Sequence, residues 1–499
     1  MRKTTSLLLL GTLLSGCTMI PDYLRPDLPT QNEWQSPALS ESGQQMAAEI
    51  AWQDFFLSEG LRGVIQASLE NNRDLRVATL NVEAARALYR VERADLIPNI
   101  GLNGGMSRQK VTRAQGGSNP NFATSREYIT STYTVNVATT AFELDLFGRT
   151  QSLSEAALED YFATEAARDA AQISLIAEVA NAYLQWMADH KILALTKDTL
   201  AAQEKSYNLI SQSFEKGVAS KLDVAQVQQS VQTARANLAL YERYVQQDKN
   251  ALQLLVGNKD ITPLLKDQQL ETLSLRNELP VGLPSEVLLV RPDVRQAEHN
   301  LLAANANIGA ARAAFFPTLS LTASYGYASS ELDNLFSSAA SGAWSFAPSI
   351  AMPIFEGGRN FANLDYSEVI KEASVAQYEK AVQTAFKEVA DELAARETLD
   401  DELDAQRKLV EATQESYDLS NARYKEGIDS YLNVLDAQRS LYSAQQREIE
   451  IEKQRMANLV NLYKALGGGL ENAEAAQESA PEDQPETPEA KAGTQASAE

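Results

Sequence analysis

The chain has 499 residues and a formal net charge of −23, with 22% charged and 44% hydrophobic residues. That length allows one large domain or several ordinary ones, and the charge argues against a nucleic-acid binder, because phosphate recognition relies on clustered Lys and Arg. The single cysteine, Cys17, leaves no internal disulfide, so packing or assembly must hold the chain together.

The N-terminus reads "MRKTTSLLLLGTLLSGC", with Arg2 and Lys3 ahead of an apolar stretch too short to span a bilayer. Residues 1–16 are expected to be a signal peptide. Leu14-Ser15-Gly16-Cys17 resembles the bacterial lipoprotein lipobox, which implies cleavage and a covalent lipid on Cys17, with no other cofactor. Thr18 follows, and the lack of Asp there fits sorting to the outer membrane. Past Cys17 no stretch is apolar enough for a transmembrane helix, so any crossing must be made by strands.

Two blocks of the chain repeat. At a shift of 210, "EKGVASKLDVAQVQQ" (Glu215 to Gln229) answers "KEGIDSYLNVLDAQR" (Lys425 to Arg439), pairing Gly217 with Gly427 and Ser220 with Ser430. The same register pairs Tyr207 with Tyr417 and Gly257 with Gly467. At a shift of 219, "NRDLRVATLN" (Asn72 to Asn81) answers "RPDVRQAEHN" (Arg291 to Asn300). The chain is an internal duplication. Its parts are an N-terminal segment over 17–60, a first repeat over 61–260, a linker over 261–284, a second repeat over 285–467 and an acidic tail over 468–499. That tail cannot bury enough apolar surface to order itself.

Each repeat begins with a helix, Leu61 to Leu96 or Pro292 to Ala314. Two strands follow, about 99–111 and 131–147 in the first repeat and 317–329 and 343–355 in the second. Tyr133, Val135 and Val137 alternate on one face, as do Leu319, Leu321, Ala323, Tyr325 and Tyr327, then Trp344, Phe346, Pro348, Ile350, Met352 and Ile354. Such period-two runs with aromatics suit membrane strands, a soluble sheet being the alternative. After "DLFGR" or "PIFEGGR", helical text runs from about Thr150 to Glu215 and from Asn360 to Glu426. Sixty-five residues make a helix of roughly 100 Å, which belongs in a coiled coil or helical barrel. Second helices run from Lys221 to Val256 and from Tyr431 to Leu466. Gly217 and Gly427 sit where each long helix reverses, and Ser220 and Ser430 are candidate N-caps of the returning helix.

Four strands per chain cannot form an open sheet in lipid, because every backbone amide must be satisfied there. The smallest common closed membrane barrels have about eight strands, so chains must pool theirs; three would give twelve.

The whole pattern resembles the outer membrane factor family, the TolC-like channels, and in particular the lipoprotein branch that serves resistance-nodulation-division (RND) drug efflux. The carriers are the lipobox, the duplicated strand–strand–hairpin order, "RPDVRQAE" from Arg291, "YLNVLDAQRSLYSAQQ" from Tyr431 and "NLYKALGGG" from Asn461. The resemblance implies a mixed α and β membrane protein: a homotrimer with a shared 12-stranded β-barrel, a periplasmic α-helical barrel and an equatorial belt. The belt draws on Met19 to Ala51, Asn258 to Pro284 and the C-terminal region. It further implies a passive channel for drugs in the outer membrane of a Gram-negative bacterium, opened by a periplasmic membrane-fusion adaptor and an inner-membrane RND transporter. By motif matching, the periplasmic gate falls on Leu432, Asp436 and Arg439, rings of which would filter ions. Gln226 and Gln229 stand at the equivalents of Asp436 and Arg439. Tyr424 and Asp223 match positions that link neighbouring hairpins when closed, and Gly217, Ser220, Gly427 and Ser430 match the adaptor-docking tips. Asp429 and Asn433 depart from the charges some relatives carry.

Three rivals compete with that reading. An enzyme is disfavoured because His190 and His299, the only histidines, have no metal-site spacing. A pore-less lipid-anchored coiled-coil protein would not need alternating strands. A channel for type I protein secretion shares the fold, but the lipobox and "LDAQR" favour drug efflux.

Overall fold

A computed structural model of the chain describes residues 18–30, 46–111, 128–265, 273–276, 279–280, 288–337 and 341–470. The expected signal peptide, Cys17 and the tail beyond residue 470 lie outside the described residues. Short helices α1 (Trp52–Phe55) and α2 (Glu59–Asn71) lead into α3 (Arg73–Ala94). Strands β1 (Gly101–Val111) and β2 (Tyr128–Leu144) follow, then α4 (Arg149–Glu215) and α5 (Lys221–Leu255). The second half runs α6 (Pro292–Ala313), β3 (Thr318–Ser329), β4 (Ser341–Ala351), α7 (Arg359–Lys425) and α8 (Tyr431–Ala465). The long helices α4 and α7 each have 67 residues, and the returning helices α5 and α8 each have 35.

The expected single helix from Leu61 to Leu96 is two helices. Asn72 breaks it with extended backbone, φ −61° and ψ 134°. Its side-chain oxygen accepts from the amides of Asp74 and Leu75, both at 2.9 Å, and its amide nitrogen donates to the Leu255 carbonyl at 3.0 Å. Asparagine at an N-cap satisfies amides that the helix leaves orphaned. In the second half Arg291 is the N-cap of α6, one 219-residue shift away from Asn72, with Pro292 preset for the first turn.

The strands form one antiparallel sheet in the order β1-β2-β3-β4. Their bounds differ from the sequence expectation chiefly at the helix-proximal ends of β2 and β4, which stop at Leu144 and Ala351. There Phe147 leaves the ladder to stack on Phe316, with ring centroids 4.7 Å apart, and Ile354 and Phe355 extend past the last pair. The register sorts side chains by chemistry. Leu102 opposes Val137, Met106 opposes Tyr133, Val137 opposes Tyr325, and Tyr325 opposes Trp344, all on one face. Asn103 opposes Asn136, Ser320 opposes Ser349, and Ser324 opposes Ser345 on the other. Those serine pairs hydrogen-bond at 2.7 and 2.8 Å. An apolar face backed by a hydroxyl and amide face is the pattern of a sheet between lipid and an aqueous lumen. No described helix is long and apolar enough to cross a membrane.

Four helix ends close alike. Beyond α4, the Gly217 amide donates to Phe214 O at 2.9 Å and the Val218 amide to Ser213 O at 2.8 Å. Gly427 and Ile428 repeat this after α7, Gly257 and Asn258 after α5, and Gly467 and Gly468 after α8. The paired bonds are the Schellman motif, which requires the left-handed conformation supplied by glycine. Gly217 and Gly427 have φ of 77° and 72°.

The main core lies where α1 and α2 meet α4 and α8. Trp52, Phe55, Leu61 and Ile65 are buried against Ile176, Tyr183 and Met187 of α4 and against Leu462 and Tyr463 of α8. Phe55 stacks on Tyr463 with centroids 4.0 Å apart, and the Tyr463 hydroxyl donates to the Ile50 carbonyl at 2.5 Å. Leu273, Leu275 and Leu279 of the linker join this core, and Leu275 bridges to Phe56 as an isolated strand pair. Each fully buried large apolar side chain contributes about 1.5–3 kcal/mol. Beside α6, residues 18–28 form a strap: Pro21 O accepts from Asn305 at 2.8 Å, and Arg25 bonds Glu298 at 2.7 Å.

Candidate functional site: the hairpin tips and the gate

The two bends occupy the far ends of the 67-residue helices and pack together within one chain. Ile210 of α4, Val227 of α5 and Tyr431, Val434 and Leu435 of α8 form a small buried cluster. Tyr207, Tyr417 and Tyr424 flank it. Tyr424 meets Tyr431 edge-on, with centroids 5.1 Å apart. The aromatic recurrence at Tyr207 and Tyr417 was the sequence signal for this cluster.

The tips are built differently. At the first, the Asp223 amide donates to Ser220 Oγ at 3.2 Å while the Ser220 amide donates to Asp223 Oδ2 at 2.8 Å, a complete capping box. At the second, Ser430 stands at the N-cap but its hydroxyl makes no cap bond, which corrects the expectation that both serines cap alike. The reciprocating acid is missing, because position 433 is Asn. In its place Arg423 spans the turn to Asp429, Nε to Oδ2 at 2.5 Å. That bond holds the Asp429 carboxyl below its ordinary pKa. Sequence reading noted Asp429 as a departure but missed its partner Arg423, six positions back across the bend.

Tyr424 and Asp223 come close across the two hairpins. Burial raises the Tyr424 pKa, and the Asp223 charge adds to the shift. The Asp223 carboxylate accepts from Ser220 and acts on Tyr424 through its charge.

Along α8 the residues divide into two stripes. Tyr431, Val434, Leu435, Gln438 and Leu441 are buried, while Leu432, Asp436 and Arg439 are exposed on one line at spacings of four and three. Asp436 and Arg439 are ion-paired. Exposed pairs of this kind contribute only a few tenths of a kcal/mol to helix stability. Leu432 and Arg439 also border a cleft of ≈ 310 Å³ between α5 and α8, whose opposite wall carries Gln226 and Gln229. The structure thus brings Leu432 and Arg439, but not Asp436, to one crevice with Gln226 and Gln229 just above the tips. Gly217 and Gly427 have nothing within 4 Å of where a Cβ would sit, and Val218 beside the first is 82% exposed. The tips present apolar side chains to solvent.

A chain of this architecture, with a lipid-facing sheet on a pair of long helical hairpins, belongs to a class of outer-membrane channel proteins. A family model described as "Outer membrane efflux protein" matches residues 64–258 and 283–468. The chain belongs to that family. It is 48% identical over 471 residues to the "Probable efflux pump outer membrane protein TtgC" of Pseudomonas putida, covering 94% of this chain and 96% of that one. It is 42% identical to "Outer membrane protein OprJ" of Pseudomonas aeruginosa, covering 93% and 95%. Among solved structures, the open state of the Neisseria gonorrhoeae MtrE outer membrane channel matches with a TM-score of 0.82 and 41% identity, over 91% of this chain and 99% of that one.

Proposed function

We propose that the protein is the outer-membrane channel of a tripartite RND-type efflux system, exporting drugs and other small compounds passively from pump to exterior. The relative TtgC is named as a probable efflux pump outer membrane protein, OprJ as an outer membrane protein, and the solved MtrE as an outer membrane channel. The observation that carries the reading is the sheet. Its apolar face is exposed, its other face is lined with Ser, Thr and Asn, and both outer edges are unpaired among the described residues, so only closure with further copies satisfies it in lipid.

Three copies would give a twelve-stranded barrel standing on a helical tunnel, anchored through a lipid on Cys17. Most of the mass then lies in the periplasm. The tips, with exposed Val218 and Ile428 beside Gly217 and Gly427, are the surface offered to the adaptor. Leu432, Asp436 and Arg439, tripled by symmetry, form an apolar ring and charged rings that repel like ions and bind opposite ones. The intrahelical Asp436–Arg439 pair is compatible with that role, since its low energy lets either side chain swing toward the axis.

Conductance in planar bilayers tests both levels. Asp436→Ala and Arg439→Ala are expected to open more often or to larger currents than the wild type. Unchanged currents would remove the gate assignment, and no current from any form would overturn the channel reading.

A further inference from the structure

Where the first hairpin leaves the main core, a carboxyl of α5 faces a carboxyl of α4. Asp189 on α4 is only 7% exposed. Asp189 stands 26 residues before the end of α4 and Asp248 stands 27 after the start of α5, so the antiparallel hairpin sets them at one height. The Asp248 carboxyl feels the Asp189 charge, and its Oδ2 atom is sealed from solvent without a donor among the described residues. Other polar groups converge on this seam. From α4, Gln185 Nε2 donates to Asp189 Oδ2 at 2.9 Å. From α8, Lys453 donates to Gln185 Oε1 at 2.9 Å and pairs with Glu450 at 2.8 Å, so its charge reaches Asp248 without a direct bond. Tyr241 of α5 feels the charges of Asp189 and Glu450.

Two ionised carboxylates in that position have only acceptors to offer each other. A single proton turns the contact into an O–H···O⁻ bond, the short and strong kind, and removes the repulsion. We infer that Asp189 and Asp248 form a proton-binding site that bolts α5 to α4 while one proton is held between them and frees the seam when that proton leaves.

The direction follows from the surroundings. Burial, then the hydrogen bond to Asp189, then its charge push Asp248 up to about 7, against the opposing charge of Lys453. Opening the seam returns Asp248 toward its ordinary value of 3.8. The closed seam therefore binds a proton that the open one releases. Its stability is full below the ordinary value and falls as pH rises toward about 7, by about tenfold in the opening constant per pH unit. Above that there is no further loss. The site sits beside Trp186, Ile192 and Val245 of the core, so it sets how firmly the lower hairpin is held at its root.

The test uses the full-length protein in detergent and needs no conduction, so its failure would leave the channel reading untouched. Stepping pH from 6 to 8, infrared difference spectra should show one protonated-carboxyl band lost in the wild type and none lost in Asp248→Asn. Over the same step, hydrogen exchange of the Tyr241–Leu252 amides, corrected for intrinsic rates, should give an opening constant about tenfold higher in the wild type and unchanged in Asp248→Asn. Asn can donate to Asp189 as the protonated acid does, so this variant should keep the seam closed at both pH values. An unchanged carboxyl band in the wild type, or the same pH dependence of exchange in Asp248→Asn, would overturn the proposal.

Discussion

Ser220 and Ser430 occupy equivalent positions in a duplicated chain yet carry different energies. The first hydroxyl accepts the Asp223 amide in a capping box, and the second accepts no cap bond. Losing an N-cap hydroxyl costs about 1 kcal/mol, so Ser220→Ala should speed hydrogen exchange in the first turn of α5 roughly fivefold. Ser430→Ala should leave the first turn of α8 within experimental scatter. An equal effect at both tips would mean that the two turns are capped alike in solution. This difference was only half legible in the sequence. Glycine followed three residues later by serine marks a helix reversal by simple turn chemistry, but Asn433 in place of an acid was the sole hint that the second cap is incomplete. The gate candidates were less legible still. Leu432, Asp436 and Arg439 read as an ordinary exposed stripe by periodicity, and only the resemblance singled them out.

At the scale of elements, legibility followed physical redundancy. The long helices were readable because 67 residues of helical text, a terminal glycine and a second copy all agree. The break at Asn72 was missed because "ENNRDLR" contains neither proline nor glycine. Its signal was the Asn-x-Asp spacing of a cap and the alignment of Asn72 with Arg291, which precedes a proline. Strand ends were shifted because Phe147 and Ile354 continue the alternation after the ladder has stopped. One strand contact does carry a firm expectation. A Cβ on Gly326 of β3 would lie 2.0 Å from Val135 O and 2.5 Å from Asn136 Cα of β2, both backbone atoms that cannot swing aside. Gly105 of β1 meets only Thr134 Oγ1 at an ordinary 3.6 Å. Gly326→Ala should therefore cost about 1–3 kcal/mol of overpacking and lower the yield of heat-resistant folded barrel on gels, with Gly105→Ala near wild type. Equal yields for the two would show that β2 and β3 do not pair in this register.

At the scale of the molecule, the proposed channel makes the chain one stave of a ring. Helices pack in the order α3-α4-α6-α7 and strands pair in the order β1-β2-β3-β4, so α3 and β1 form one flank while β4 and α7 form the other. Both flanks are unfinished. Helix α3 buries none of its residues and exposes Val77, Leu80, Leu88 and Val91. The start of α7 exposes Phe361, Tyr366 and Val369, and every residue of β4 is exposed. The flanks differ from each other, so their contact is head-to-tail, and a head-to-tail contact must close into a ring or run on as a filament. A membrane barrel demands closure, and four strands taken three times reach twelve, above the smallest common barrel of about eight. The detergent-solubilised protein should accordingly have three times the protomer mass by native mass spectrometry. Leu88→Glu with Val91→Glu places charges in the proposed α3–α7 seam between copies, where they would be desolvated without partners, and should shift that mass toward the single chain. The far-ultraviolet circular dichroism should hold, because α3 lends none of these side chains to the protomer's own core. A wild-type protein that stays monomeric in mild detergent would leave both flanks bare and rule out the shared barrel.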